Sequence, residues 1–225
     1  MTASTVFLSR LAEEDRAALA ARWVVRHYQR DEMVIAHDES GRDVFFVLEG
    51  RARVTVFSER GRAVAFRDME PGDIFGELAA IDGRVRSASV VALETMRAAR
   101  LSDTAFRDIV KARPTFTWAL LEHLSAQVRR LTDRVYEFST LVVRKRLIRE
   151  LLRLAETAEQ GEGQALIAPA PTHFELAARI STHREAVSRE MSALAKRKLI
   201  AKSGGNLVIR DLGVLQALAV DEDER

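Results

Sequence analysis

The sequence predicts an α+β chain: a β-barrel or sandwich, then one long helix, then a small helical domain closed by a β-hairpin. Three observations predict it. Between about Tyr28 and Leu101, short β-branched or aromatic runs alternate with turn residues, and glycines at 41, 50, 61 and 72 stand nine to eleven residues apart. From Leu121 to Val142 the apolar residues step three and four apart. Beyond that, two short helical patterns split by a brief turn precede two apolar runs joined through Ser203-Gly204-Gly205-Asn206.

The elements follow in order. Leu11 to Trp23 reads as a helix, with Ser9 ahead of it as a capping-type residue. The strands include Met33–Ile35, Val44–Leu48, Val54–Phe57, Val64–Phe66 and Ala88–Val91, and each spaced glycine is expected to supply a positive φ for a tight turn. From Asp103 the period becomes helical, and Pro114 suits the first position of the long helix because its missing N–H costs nothing there. Leu121, Leu124, Val128, Leu131, Val135, Phe138 and Val142 form a 3-4 stripe flanked by charges. So narrow a stripe fits a two-stranded coiled coil, hence a homodimer seam; a helix packed on its own barrel would show a wider apolar face. A helix from Val143 to Ala158, a loop over Gln160–Gln164, a helix Phe174–Ile180, the turn Ser181-Thr182-His183 and a helix from Arg184 to about Lys198 complete the pattern. With the hairpin Leu199–Ala201/Leu207–Ile209 they make a winged helix-turn-helix.

Composition narrows the function. The chain has 225 residues, 47% hydrophobic and 30% charged, which suits one large domain or two of ordinary size. No apolar run approaches the roughly 20 residues that span a bilayer. The charged start, Met1 to Arg22, lacks an export signal, so the expectation is a cytoplasmic protein without a membrane partner. The absence of cysteine excludes disulfides, thiolate metal sites and cysteine nucleophiles together. Histidines 27, 37, 123, 173 and 183 form no ligand pair at helical spacing, so no metal site is expected. Residues 144–210 carry 13 basic and 7 acidic side chains whereas residues 1–143 are balanced, as in a nucleic-acid-binding segment attached to a sensor or in a merely solvated basic surface. The acidic tail Asp221–Arg225 reads as disordered. No motif supplies a nucleophile with its base, a carboxylate pair or a metal triad, so an enzyme is not expected.

Two stretches carry chemistry. In the first, Gly76 could open a short helical turn whose N–H groups face an anion, Glu77 could accept from a ribose hydroxyl, and Arg86 and Ser87 could hold a phosphate. One acid and one base suit a nucleotide with a single phosphodiester charge; they equally suit an ordinary surface ion pair. In the second, Arg184, Glu185, Ser188 and Arg189 share one face of a helix while Val187, Met191 and Leu194 face the other. Arginine reads guanine and glutamate accepts from cytosine, although the same face could be a plain ion-paired surface.

These motifs resemble the cyclic-AMP receptor protein / fumarate–nitrate regulator (CRP/FNR) superfamily. Its phosphate cassette runs Gly-Glu, a variable segment, then Arg-Ser/Thr-Ala, matched by Gly76-Glu77 and Arg86-Ser87-Ala88. Val44–Gly50 matches the family's aromatic–aliphatic strand ending in glycine, and Arg184-Glu185-Ala186-Val187-Ser188-Arg189 matches its recognition helix, Arg-Glu-x-Val-x-Arg. The resemblance implies an N-terminal cyclic-nucleotide-binding β-roll (a double-stranded β-helix, or jelly roll) over residues 1–112. A coiled-coil dimerisation helix and hinge would follow over 113–142, and a winged helix-turn-helix over 143–225. Gly76, Glu77, Leu78, Arg86 and Ser87 would then bind the sugar and cyclic phosphate. Ser181, Thr182 and His183 would hold DNA phosphates, while Arg184, Glu185, Ser188 and Arg189 face the bases. Family members that bind cyclic AMP place adjacent hydroxyl residues on the long helix against the base; the matching positions are Leu131 and Thr132, of which only Thr132 has a hydroxyl. The implied effector is therefore cyclic AMP, with cyclic GMP as the alternative. Implied partners are a palindromic double-stranded DNA operator, a second copy of the chain and RNA polymerase. The rival readings are a nucleotide-binding module that controls a protein partner without touching DNA, and a family member with a different effector or none.

Overall fold

The computed structural model describes residues 6–220 except 58–62, 157 and 162. Gly61 and the tail Asp221–Arg225 lie outside the described residues. The chain divides into two compact units between Arg130 and Leu131.

The first unit opens with a 3-10 turn, Phe7–Arg10, and helix α1, Glu13–Ala20. Ser9 does not cap α1 as expected: its hydroxyl donates to Val6 O at 2.7 Å, and Ala12 stands at the N-cap. The helix also stops earlier than predicted, because the β-branched pair Val24-Val25 begins strand β1, Val24–Tyr28. Then come β2 (Met33–Ile35), β3 (Val44–Glu49), β4 (Ala52–Phe57), β5 (Ala63–Met69) and β6 (Ile74–Phe75). Helix α2 (Glu77–Asp82) interrupts the strands before β7 (Ser89–Ala92) and β8 (Met96–Leu101). They pair antiparallel into two four-stranded sheets, β1-β8-β3-β6 and β2-β7-β4-β5. Gly50 and Gly72 have the positive φ expected of turn glycines, whereas Gly41 lies outside the left-handed region.

Strand β3 explains how the sheets are held. Phe45 and Val47 enter a core shared by both sheets, with Ile35, Ala52, Met69, Phe75, Val90, Ala92, Met96 and Ala98. Val44 and Phe46, on the opposite face, join a second core with Phe7, Leu19, Leu101, Phe106 and Phe116. A strand buried on both faces has no polar side, hence the unbroken run Val44–Leu48. The helices over the second core are α3 (Asp103–Ala112), whose N-cap Ser102 accepts from Ala105 N, and the first turns of α4 (Pro114–Thr140). Phe116, Ala119 and Leu120 are the buried line of α4. The helix thus has two apolar lines, one for its own barrel and one outward.

The second unit contains α5 (Val143–Glu156), β9 (Glu159–Gly161), β10 (Gln164–Ile167), α6 (His173–Arg179) and α7 (Arg184–Lys196). It ends with β11 (Ile200–Ser203), β12 (Asn206–Ile209) and α8 (Leu212–Val220). The expected loop over Gln160–Gln164 is a hairpin instead: β9 and β10 join the wing to give a sheet ordered β11-β12-β10-β9. Thr172 and Glu175 form a capping box at α6. Val187, Met191 and Leu194 of α7 pack on Leu176, Ala177, Leu147, Leu151 and Leu215. No helix among the described residues is long and apolar enough to cross a membrane.

Candidate functional site

Strand β6 runs directly into the cassette. Gly76 has φ +82°, and a Cβ there would lie 2.8 Å from both Arg86 Nη1 and Asp43 O, so only glycine fits. Glu77 begins α2, whose N-terminus no side chain caps. Ten residues after Gly76, the Arg86 guanidinium folds back: Nη1 donates to Gly76 O at 2.9 Å and Nη2 to Asp43 O at 2.8 Å. Its backbone is tied as well, N–H to Glu39 O at 2.9 Å, while Asp38 N–H donates to Arg86 O at 3.0 Å. Asp38 supplies the left-handed turn there, at φ +65°. Arg86 is only 5% exposed, and its fork holds five donors, of which the two carbonyl bonds occupy two. Ser87 and Leu78 are exposed beside it.

Glu77 is buried, and that burial pushes its carboxyl above the ordinary glutamate value; its own N–H, Arg67, the Gln127 amide and Arg86 pull the other way. Gln127 was not foreseen. From α4 its Nε2 reaches Glu77 Oε1 at 3.4 Å and His123 Nε2 at 2.8 Å. His123 is buried against the Phe7 ring, and burial first, then Arg67, lowers its pKa to about 4, so it is neutral at pH 7. A neutral ring that accepts from Gln127 through Nε2 carries its proton on Nδ1. The signal for this pair is the i, i+4 spacing of His123 and Gln127 on the buried side of a helix. The first unit thus brings together Gly76, Glu77, Leu78, Arg86 and Ser87. Leu131 and Thr132 stand exposed on α4 just beyond the division between the units.

In the second unit, Ser181 makes the turn between α6 and α7 with φ +53°, and His183 is the N-cap of α7. His183, Arg184, Glu185 and Arg189 are exposed on one side of α7, and Ser181 and Ser188 are half-buried. Two of the expected DNA-facing residues are tied into the domain. Thr182 is buried, its N–H donating to Ala177 O at 3.0 Å. The Ser188 hydroxyl lies 2.7 Å from His173 Nδ1, at the start of α6, so it reaches outward only by leaving that bond. Burial, then Lys202 and Arg184, lower the His173 pKa. Ser188, Arg189, Ser192, Ala193 and Lys196 line a shallow cavity of about 420 Å³ along α7.

Comparison with known proteins gives this geometry its context. Residues 25–113 match the family model of the cyclic nucleotide-binding domain, and residues 145–218 that of the Crp-like helix-turn-helix domain. The transcriptional regulator SdrP of Thermus thermophilus is 30% identical over 173 residues, covering 77% of this chain and 82% of its own. The chain belongs to the CRP/FNR family. A CRP-like cAMP-activated global transcriptional regulator of Mycobacterium tuberculosis is 28% identical across 87% of this chain and 88% of its own. Among solved structures, a CRP/FNR-family regulator from Thermus thermophilus superposes with a TM-score of 0.72 at 27% identity, covering 88% of this chain and 99% of that one. A mutant CooA from Carboxydothermus hydrogenoformans shares the fold, with a TM-score of 0.80 at 20% identity and 97% coverage of both chains.

The long CRP/FNR helix carries the stripe expected at the dimer seam. Leu121, Val128, Leu131 and Val135 are 50–65% exposed, as is Val142, which lies past the end of the helix at Thr140. Leu124 and Phe138 differ. Leu124 packs partly against the barrel's second core, and the Arg146 guanidinium lies 5.7 Å above the Phe138 ring. Each is divided between the chain's own packing and the outward stripe.

Proposed function

We propose that this CRP/FNR-family chain is a cyclic-nucleotide-responsive, sequence-specific DNA-binding transcription regulator that acts as a homodimer. Residues 1–112 sense the nucleotide, 113–142 dimerise and hinge, and 143–225 bind DNA. The observation that carries the reading is the cassette: Arg86 folds back to bond Gly76 O and Asp43 O, Glu77 is buried next to Gly76 in the chain, and donors of Arg86 stay in reserve for an anion. Glu77 accepts from the ribose 2′-hydroxyl, and Arg86 and Ser87 hold the cyclic phosphate. Cyclic AMP is the proposed effector, cyclic GMP the alternative, because the base would meet Leu131 and Thr132 and only Thr132 offers a hydroxyl. The working compartment is the cytoplasm, and RNA polymerase is the further partner.

Ligand acts by shifting a population: it binds the DNA-competent state better, and only that difference does work. In that state two copies of α7 enter successive major grooves, about 34 Å apart. Arg184, Glu185 and Arg189 meet base edges; Ser181 and His183 meet phosphates. Calorimetric titration with cyclic AMP and cyclic GMP tests the sensor. Saturable binding of either, lost in Arg86→Leu, supports the assignment; no heat with both refutes it.

A further inference from the structure

We infer that Arg134, on the last turns of the long helix, is a positioning residue for DNA recognition: its guanidinium locks those turns to the exit of α6, the point from which α7 springs. Two bonds made at once carry this. Arg134 Nη1 donates to Arg179 O at 3.0 Å, and Nη2 lies 2.9 Å from Glu150 Oε2 on α5. Arg179 ends α6, so its carbonyl is one of the group that a helix leaves without an internal donor. The next two carbonyls are served from α5, where Arg146 Nη1 donates to Ile180 O at 2.7 Å and to Ser181 O at 3.4 Å. Three successive carbonyls at the helix-turn-helix corner thus take their donors from two arginines on different helices. Ser181 sits there with φ +53°, a conformation a side-chain-bearing residue holds only when its surroundings impose it.

Beneath this clamp lies a buried charge cluster. Glu150 and Glu137 are 1% and 3% exposed. Glu150 pairs with Arg134, Arg153 at 3.1 Å and Arg179 at 3.2 Å; Glu137 pairs with Arg153 and, at 3.5 Å, Arg149. Buried ion pairs of this kind stabilise little beyond what apolar packing of the same volume would. What they supply is direction, since a planar guanidinium satisfies two acceptors in one orientation only. The segment Leu131–Thr140 of α4 therefore moves with the helix-turn-helix corner as one body. Displacement of α4 by a ligand reaches α7 through Arg134 rather than being absorbed at the junction Leu141-Val142.

This inference rests on the reading that α7 binds DNA under nucleotide control, and the test separates the two. Arg134→Lys keeps the charge opposite Glu150 but loses the fork, and Arg134→Met loses both, leaving Glu150 its bonds to Arg153 and Arg179. In the 225-residue chain, Arg134→Lys is expected to melt within a few degrees of wild type and Arg134→Met roughly 5–15 °C lower, and both are expected to bind cyclic AMP with unchanged affinity when DNA is absent. Amide hydrogen exchange over residues 179–187 should quicken about tenfold in both, with the barrel amides unchanged, and DNA affinity at saturating cyclic AMP should fall about tenfold in both. Wild-type exchange over 179–187 in Arg134→Lys, or full DNA affinity restored by the lysine, would overturn the role of Arg134. A wild type that binds no DNA overturns the functional reading instead, and the exchange experiment still decides whether Arg134 positions the corner.

Discussion

Arg86→Leu separates what the arginine does for a ligand from what it does for the fold. The side chain is 5% exposed and donates to Gly76 O and Asp43 O at 2.9 and 2.8 Å. Hydrogen bonds from a charged group contribute about 1.5–3 kcal/mol each, and a buried leucine returns roughly 1.5–3 kcal/mol through apolar burial. The net expectation is a loss of about 2–4 kcal/mol of stability, because the two part-buried carbonyls are left without their donor. For a protein of this size that lowers the melting temperature by roughly 5–15 °C. Ligand binding suffers separately: a phosphate deprived of its charged partner loses about 2–5 kcal/mol, at least roughly 30-fold in affinity. Scanning calorimetry reads the first effect and titration with cyclic AMP the second. A variant that melts lower yet binds cyclic AMP with wild-type affinity would show that Arg86 only braces the loop.

Three further outcomes follow. Because folding raises the Glu77 carboxyl pKa through burial, the group's stabilising contribution is present below the ordinary glutamate value and lost as pH rises through the raised one. Glu77→Gln should therefore melt higher than wild type at neutral pH without ligand while binding cyclic AMP poorly, and wild-type affinity should weaken as pH falls through the raised value; an unchanged apo melt would contradict the burial argument. Val135→Asp places charge on the exposed stripe, against its symmetry mate in the proposed seam, and light scattering should show monomer; a full-strength dimer would move the seam elsewhere. Arg184→Ala should cost about 1–3 kcal/mol and relax preference at one base pair, whereas His183→Ala should weaken all sequences nearly equally. In-vitro selection of bound DNA distinguishes them, and identical motifs for wild type and Arg184→Ala would refute the base contact.

The features legible in the sequence are those written in local periods. The long helix from Pro114, the hairpin through Gly204-Gly205 and the apolar face Val187, Met191, Leu194 each follow from spacing within one element, and the structure contains all three. The cassette residues were legible through a motif, though not the way Arg86 folds back onto Gly76, which depends on the turn at Asp38 and on Asp43. What could not be read depends on partners far apart in the chain. Gln127 meets Glu77 across fifty positions, and Glu137 meets Arg153 across a helix break, so neither pair leaves a periodic trace. Ser188 looked free for DNA because α7 alone puts it on the basic face; its bond to His173 comes from the neighbouring helix. The hairpin β9–β10 escaped because β9, Glu159-Gln160-Gly161, has no apolar or β-branched residue and so carries no strand signal.

The central claim is that a cyclic nucleotide held at Glu77 and Arg86 controls DNA reading by α7. Fluorescence anisotropy of a labelled palindromic site, obtained by in-vitro selection, tests it most directly when the protein is titrated with and without saturating cyclic AMP. The account predicts that the nucleotide raises DNA affinity about tenfold or more, a coupling of about 1.4 kcal/mol or above, and that the rise disappears in Arg86→Leu. Equal affinity with and without either cyclic nucleotide, or a rise that survives in Arg86→Leu, would contradict it.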